Sequence, residues 1–194
     1  LCTSAVFSEA MLRFLQKNAP DLLALIRSLL QKGLLSLVVD LSFPAHELTA
    51  DSIHLQILHK QRLYQDFFGT AATALLPFGL GFDPRLIDAM DRYDLQTMFL
   101  NLDSMKRSTG IVVHKETYVQ ALGIDSMLSR HSEEGSAKEF FFRVRSICKE
   151  HANAAVFCTR LQRIGWRSRN DTSKALAGLF KASGQGWVSA KEWW

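Results

Sequence analysis

The sequence predicts a mainly α-helical protein, a multi-helix globule of one or two small helical domains with at most a minor strand pair. Apolar residues recur three and four positions apart through most of the chain, which is the period of an amphipathic helix. Residues that favour helix starts, such as Pro20 and the pair Asp83-Pro84, precede several of these segments. Only residues 34–43 and 111–114 are rich enough in β-branched residues to compete as strands.

Two short helices are predicted at the beginning of the chain. SEAMLRFLQKN has Ser8 in the N-cap position, followed by apolar residues at helical spacing. PDLLALIRSLLQKG begins with Pro20 in the first turn and ends at Gly33, where a left-handed cap is expected. A turn between these two helices is the natural interpretation.

The stretch LLSLVVDLSF, residues 34–43, allows either a buried strand or a further helical segment. We favour a helix, because IVVH at 111–114 is the only other strand candidate of similar quality and a strand needs partners. Residues 50–68 have helical periodicity, and Asp51 or Ser52 is the expected start of that helix.

The second half of the sequence is dominated by one long helix. HSEEGSA, residues 131–137, has the composition of a loop and is the best candidate hinge. Residues 138–164 are then predicted to form a helix that ends at Gly165, and a short helix starts at Asp171 or Thr172.

Charge is distributed unevenly and suggests two domains. Residues 1–100 have a net charge of −2, and residues 101–194 have a net charge of +6. We therefore divide the chain into an N-terminal helical domain, 1–104, for dimerisation or partner binding, and a basic helical domain, 105–194. Such a basic surface suits a polyanion, although a moderately basic helix is also common for solubility alone.

Composition restricts the class of protein. With 47% hydrophobic and 22% charged residues, the chain has the composition of a folded globule. Its three cysteines, Cys2, Cys148 and Cys158, are too scattered for a disulfide framework and indicate a reducing, cytoplasmic setting. The longest uncharged run, residues 67–82, is interrupted by glycines and a proline, so no transmembrane segment is expected.

No motif predicts catalysis, a metal or a cofactor. The G-x-S-x-G serine elbow does not occur, and the glycine pairs lack the remainder of a phosphate-binding loop. His54 and His59 are five residues apart and would point away from each other on a helix. Cys148 and His151 could share a helix face, but no second pair of ligands stands near them in the sequence.

A helix-turn-helix is one candidate for nucleic-acid recognition. In ETYVQALGIDSMLSRHS, residues 116–132, Gly123 falls in the expected turn and Asp125 could cap a recognition helix. Val119 occupies the position where alanine is expected, so a plain helical hairpin is the alternative interpretation.

A second candidate is a cluster of basic residues around Trp166. Guanidinium groups suit phosphate oxygens, and an indole could stack on a base or sugar. The predicted nucleic-acid-binding residues are Arg143, Lys149, Arg160, Arg163, Trp166, Arg167, Arg169 and Lys174. The alternative is that Trp166 packs on the core while the arginines pair with acidic residues or solvent.

The function that we rank first from the sequence is a non-enzymatic, nucleic-acid-binding transcriptional regulator without a cofactor, acting as a homodimer or with a protein partner. The second is a helical protein-interaction module, such as an adaptor or secreted effector, that uses the tryptophan-rich residues 187–194. An enzyme with an unfamiliar site is the third.

Two stretches resemble the bacterial flagellar master regulator. HANAAVFCTRLQRIG, residues 151–165, is similar to a helix of its larger subunit, and ALLPFGLGFDPRLIDAM, residues 74–90, resembles a helical hairpin of its smaller partner. The four-cysteine zinc cluster of the larger subunit is absent from this sequence, so the resemblance assigns no role to any residue.

Overall fold

The computed structural model describes residues 3–105, 107, 109–134 and 137–150. Six strands and six α-helices occur in these ranges. The strands are β1 Thr3–Ala5, β2 Leu35–Asp40, β3 Ala74–Leu76, β4 Thr97–Asn101, β5 Thr109–His114 and β6 Thr117–Ile124. The helices are α1 Glu9–Asn18, α2 Pro20–Gln31, α3 Ala50–Phe68, α4 Pro84–Arg92, α5 Ser126–Glu134 and α6 Ala137–Glu150.

The strands form one six-stranded sheet in the order β1-β2-β3-β4-β6-β5. β1 to β4 are successive parallel neighbours, with the registers Ser4↔Ser36, Val39↔Leu75 and Leu75↔Met98. Helices connect these four strands, as parallel pairing requires. β5 and β6 are joined by the two-residue turn 115–116, a connection that antiparallel strands allow. The sequence-based prediction of a mainly α-helical globule is therefore wrong, because the protein has an α/β fold.

The segment 34–43 was wrongly predicted as helix, because it contains β2. Leu37, Val38 and Val39 are all buried, and β2 pairs on one side with β1 and on the other with β3. A parallel strand buried on both faces is almost continuously apolar, so it lacks the alternation that identifies a half-exposed strand. The partners β1 and β3 have only three residues each, too few to give a strand signal in the sequence.

The predicted helix starts in the first half are largely confirmed. Ser8 caps α1 by accepting a hydrogen bond from Met11 N at 3.2 Å, and Pro20 occupies the first turn of α2. Gly33 has φ +68° just after α2, as expected of a left-handed cap. α3 is capped by Thr49, slightly earlier than predicted.

The second half differs more from the sequence-based predictions. Residues 117–124 form β6, so the predicted helix-turn-helix lacks its first helix, although Asp125 does cap α5 through Leu128 N at 2.5 Å. The predicted hinge is mostly helical, because residues 131–134 belong to α5 and residue 137 begins α6.

Several predictions extend beyond the described part of the chain. α6 confirms the beginning of the long helix, whereas its predicted continuation to residue 164 and the short helix after Asp171 lie outside the described residues. Residues 151–165, which carry one of the two resemblances, lie outside them as well. The other resemblance fails, because residues 74–90 form β3, a 3-10 turn and the first part of α4 rather than a helical hairpin.

Two compact units are distinguished in the described residues. The first comprises residues 3–98 and 112–119, and the second comprises the described residues of 99–111 and 120–150. The second unit has a core cluster of Leu102, Leu128, Phe140 and Ile147. The division of the chain at residue 104 stays a prediction.

In the described ranges, none of the helices combines the length and the apolar character needed to cross a bilayer.

Gly123 is a position where the fold requires the absence of a side chain. A Cβ at this residue would lie 2.8 Å from Leu102 Cδ1 and 3.2 Å from Leu102 Cα. We expect Gly123→Ala to lower the free energy of unfolding by about 1–3 kcal/mol, the usual cost of overpacking a core. Urea unfolding measures this difference.

Gly110→Ala is the matched control. Its Cβ would meet only Met105 Cε, at 3.7 Å, which is ordinary van der Waals contact. Equal unfolding midpoints for the two variants would contradict the close packing of Gly123 on Leu102.

Candidate functional site

Functional sites in sheets of parallel strands usually lie at the carboxyl ends of the strands. In sheets built from βα units, the loops that follow the strands carry binding and catalytic residues, and the helices and strands hold those loops in place. In the first unit these loops are residues 6–8, 41–49 and 77–83, after β1, β2 and β3, and we call them the carboxyl-edge loops.

A depression of about 240 Å³ opens beside the end of β2. Asp40, the last residue of the strand, lies on one side of it together with Ser42. The other side is formed by α3, whose lining residues are two pairs spaced four positions apart, so they share one face of the helix. The residues lining it are Asp40, Ser42, Leu55, Gln56, His59 and Lys60.

Asp40 and Lys60 form the central charged pair of the depression. Lys60 Nζ lies 2.6 Å from Asp40 Oδ1, an ion pair whose angles fall outside hydrogen-bond geometry. The ammonium also donates a hydrogen bond to Phe7 O at 3.1 Å. Lys60 is thereby held between the end of β2 and the loop after β1.

Tyr64, one helical turn beyond Lys60, also connects α3 to β2 and to the loop after β1. Its hydroxyl accepts a hydrogen bond from Phe7 N at 3.1 Å and donates one to Val38 O at 2.9 Å. The side chain is completely buried. Burial raises the pKa of the Tyr64 phenol, and the negative charge of Asp40 raises it further, so the hydroxyl stays neutral and keeps its donor.

His59 and Gln56 complete the polar lining. His59 Nε2 lies 3.4 Å from Glu9 Oε2, at the start of α1. The hydrogen bond from Arg13, at 2.8 Å from Nε to Glu9 Oε1, lowers the pKa of Glu9 and keeps it ionised beside the imidazole. Gln56 Oε1 accepts a hydrogen bond from Ser42 N at 3.0 Å, which ties α3 to the loop after β2.

Arg85 ties two of the carboxyl-edge loops together. Its guanidinium donates to Leu48 O and Ala45 O, both at 2.7 Å, and to both carboxylate oxygens of Asp83, at 2.9 and 2.7 Å. Asp83 also caps α4 by accepting from Arg85 N. The hydrogen bonds from the Arg85 side chain lower the pKa of Asp83.

The depression combines groups with different chemical properties. Asp40 can accept a hydrogen bond or a proton, Lys60 can stabilise negative charge, and Gln56 and His59 can bind hydroxyl groups. Within the ranges that the structure describes, no group of three His, Cys, Asp or Glu side chains is placed to hold a metal ion.

Two of the predicted nucleic-acid-binding residues, Arg143 and Lys149, are described by the structure, and neither lines the depression. Arg143 pairs with Asp125, with Nη2 to Oδ2 at 2.5 Å, and this hydrogen bond raises the pKa of Arg143. Lys149 is exposed near the end of α6. The remaining six lie outside the described residues: Arg160, Arg163, Trp166, Arg167, Arg169 and Lys174. The role given to these eight residues stays a prediction.

The residues of the depression are not part of any motif recognised in the sequence. His54 and His59 were considered there only as a metal-binding spacing, and Asp40 and Lys60 were assigned no role. An available signal was the aspartate that directly follows Val38 and Val39, since a charged residue at the end of a buried apolar run often marks the end of a parallel strand.

Comparison with known protein families and with curated proteins gives no match. Solved structures do match. The 4-alpha-glucanotransferase from Thermococcus litoralis superposes with a TM-score of 0.73 at 16% identity, covering 97% of this chain and 32% of that protein. An exo-type maltose-forming amylase from Pyrococcus sp. ST04 gives 0.70 at 13% identity, with 97% and 35% covered. A candidate polysaccharide deacetylase from Mycobacterium smegmatis gives 0.68 at 10% identity, with 93% and 72% covered.

These matches establish the fold and correct several expectations. The chain spans about a third of the length of the glucanotransferase and the amylase. The predictions of a mainly α-helical, DNA-binding transcriptional regulator, of a nucleic-acid partner and of a non-enzyme are wrong, because the neighbours are carbohydrate-active α/β proteins. The basic second half led to the wrong class, since net charge reports on solubility and encounter rather than on fold.

Tyr64→Phe tests the hydrogen bonds by which α3 is connected to β2 and to the loop after β1. Removing the hydroxyl leaves Val38 O and Phe7 N without their partner in a buried position, so we expect a loss of about 1–3 kcal/mol in the free energy of unfolding. Urea unfolding of the purified variant measures it. Tyr118→Phe is the control, because Tyr118 is 59% exposed. An equal or larger loss at Tyr118 would contradict the larger contribution expected of the buried Tyr64 hydroxyl.

Asp83→Asn tests the anchor formed with Arg85. Asparagine can still cap α4, so the variant removes mainly the charge that Arg85 binds. Because the pKa of Asp83 is lowered by folding, its ionised form stabilises the protein above the ordinary carboxyl pKa of about 4, and this contribution disappears as pH falls through the lowered value.

Since the Arg85 side chain is 39% exposed, we expect wild type to exceed Asp83→Asn by only about 1 kcal/mol at neutral pH. The difference should shrink as the pH falls below the ordinary carboxyl pKa and through the lowered pKa of Asp83, and urea unfolding at several pH values follows it. A difference that does not depend on pH would contradict the assignment.

Proposed function

We propose that this chain belongs to a carbohydrate-processing enzyme and that the depression beside Asp40 is its substrate site. The observation that carries the proposal is the position of a depression lined by the Asp40–Lys60 ion pair at the carboxyl ends of parallel strands, in a fold that the chain shares over 97% of its length with a glucanotransferase. Fold likeness alone does not assign a reaction, so the proposal depends on what the depression can do.

Asp40 is the proposed proton acceptor. It lies at the end of a strand rather than in a loop, and its Oδ1 is 2.6 Å from Lys60 Nζ. A carboxylate held in this way can bind a sugar hydroxyl or remove a proton from an attacking water or hydroxyl group. Lys60, which is only 15% exposed, would then stabilise negative charge that develops on the substrate.

His59 and Gln56 are the proposed orienting groups. Both lie on the α3 face of the depression, and each is fixed by a partner outside it, Glu9 for His59 and the backbone of Ser42 for Gln56. Fixed donors and acceptors select one orientation of a ligand that has many similar hydroxyl groups.

A second candidate function is carbohydrate binding without turnover. The ion pair between Asp40 and Lys60 favours it, because two charged groups that already contact each other can bind sugar hydroxyl groups without transferring a proton. We also propose a cytoplasmic location, which the scattered cysteines support.

The test combines binding and turnover. The purified chain is assayed with soluble starch, glycogen and acetylated chitin oligosaccharides, by affinity electrophoresis for binding and by release of reducing ends and acetate for turnover. We expect Asp40→Asn to lower turnover by about 100-fold or more, the usual effect of removing a proton-transfer group. Binding that persists without turnover in wild type would favour the second candidate.

Asp88→Asn is the matched control. Asp88 lies on α4 and pairs with Lys115 at 3.0 Å, and it does not line the depression. Turnover by this variant should stay within about twofold of wild type. Full activity in Asp40→Asn would place the site elsewhere, and neither binding nor turnover of any sugar by wild type would contradict the proposed function.

A further inference from the structure

Three exposed phenylalanines lie in the carboxyl-edge loops. Phe43 follows β2, and Phe78 and Phe82 follow β3; their exposed fractions are 57%, 51% and 49%. Large aromatic side chains bury 150–250 Å² when they pack, so leaving three of them half exposed forgoes considerable stabilisation. Exposed aromatic groups gathered in the loops of one edge indicate a binding surface.

The backbone brings these loops together. Asp40 is in register with Leu76, and Leu41 N donates a hydrogen bond to Leu76 O at 3.1 Å. The loops that carry Phe43 and Phe78 therefore begin side by side, because each phenylalanine follows these paired residues by two or three positions. Arg85 then binds Ala45 O in one loop and Asp83, the neighbour of Phe82, in the other.

The turn that carries Phe78 has an unusual conformation. Gly79 and Leu80 both have left-handed backbones, with φ of +62° and +59°, and Leu80 N donates to Pro77 O at 3.0 Å. A left-handed conformation costs about 1–2 kcal/mol for a residue such as leucine. Pro77 fixes the entry to the turn. Phe78 therefore lies in a turn whose backbone conformation is fixed by Pro77 and by the hydrogen bond from Leu80 N.

The charges of the loops limit the ligand. Residues 41–49 and 77–83 contain no lysine or arginine, and their charged or titratable side chains are His46, Glu47 and Asp83. His46 lies 3.7 Å from Glu47, and Asp83 is bound by Arg85. Lys60, in the adjoining depression, is paired with Asp40. Neither these loops nor the adjoining depression offers an unpaired cation to a sugar carboxylate or sulfate.

We infer that Phe43, Phe78 and Phe82 form an aromatic platform for the pyranose rings of a neutral polysaccharide, next to the depression that holds Asp40. Phe43 directly follows Ser42, which lines the depression, so the loop that carries Phe43 also borders the depression. The C–H faces of a pyranose ring are apolar and pack on an aromatic face, while its hydroxyl edges reach polar groups. This inference rests on the proposed function and names the substrate class of the same site.

The test is affinity electrophoresis in gels that contain a neutral polysaccharide, soluble starch or glycogen, or an acidic one, polygalacturonate or alginate. Phe43→Ala, Phe78→Ala and Phe82→Ala are compared singly and together with wild type. We expect each single variant to weaken binding of the neutral polymer by about threefold to tenfold, and the triple variant to abolish measurable retardation.

Phe14→Ala is the matched control. Phe14 is 61% exposed on α1, outside the carboxyl-edge loops, so its removal deletes the same chemical group without touching the platform. Circular dichroism and urea unfolding establish that all variants fold, and the control should bind as wild type does.

The outcomes separate this inference from the proposed function. Retarded wild type with unchanged binding by the triple variant would overturn the platform and leave the site at Asp40 standing. Preference for the acidic polymers would overturn the substrate class. Failure of wild type to bind any polymer would overturn the proposed function, and the platform with it.

Discussion

The pairing of β2 between β1 and β3 is the constraint on which the first unit depends. It aligns three strands in parallel, so their carboxyl ends and the loops that follow them meet at one edge. Asp40 reaches that edge only because β2 ends there, and α3 is positioned against it by Tyr64, which binds the backbones of β2 and of the loop after β1. The lining of the depression follows from these two facts.

The ends of several helices could be predicted from the sequence, whereas the pairing of the strands could not. Ser8, Pro20, Gly33 and Asp83 identified helix ends correctly, because capping depends on residues within one turn. β3 has only three residues, and its identity as a strand depends on β2 and β4, to which it is joined through long connections. The pattern of a short stretch of sequence contains no information about such a distant partner, so the sheet could not be predicted from it.

The candidate site was hidden for a related reason. Asp40, Gln56 and Lys60 are far from any recognised motif, and only the end of β2 and one face of α3 bring them together. The nucleic-acid-binding prediction, by contrast, was based on the number of basic residues in the second half of the sequence. Arg143 shows why number is a weak guide, since its guanidinium is engaged by Asp125, a buried carboxylate that also caps α5.

The proposed site combines two kinds of contact. The depression offers a charged pair and fixed amide and imidazole groups, and the adjoining loops offer phenyl rings without free cations. Arg85 is the link between them, because the carbonyls that it binds belong to the loop of Phe43 and the carboxylate that it binds follows Phe82. A planar group with five donors can serve these acceptors at once, which a lysine could not.

The hydrogen bond from Phe7 N to Tyr64 has a consequence for the motions of the protein. Phe7 lies in a loop, where backbone amides usually exchange their hydrogen with solvent through small local openings. Its amide is nevertheless buried and donates to the hydroxyl of Tyr64, a residue of α3 that also binds Val38 O in β2, so exposing the amide requires α3 to separate from the sheet. The amide of Phe7 should therefore exchange as slowly as those of the core strands, and the loop that borders the depression moves only when the core itself opens.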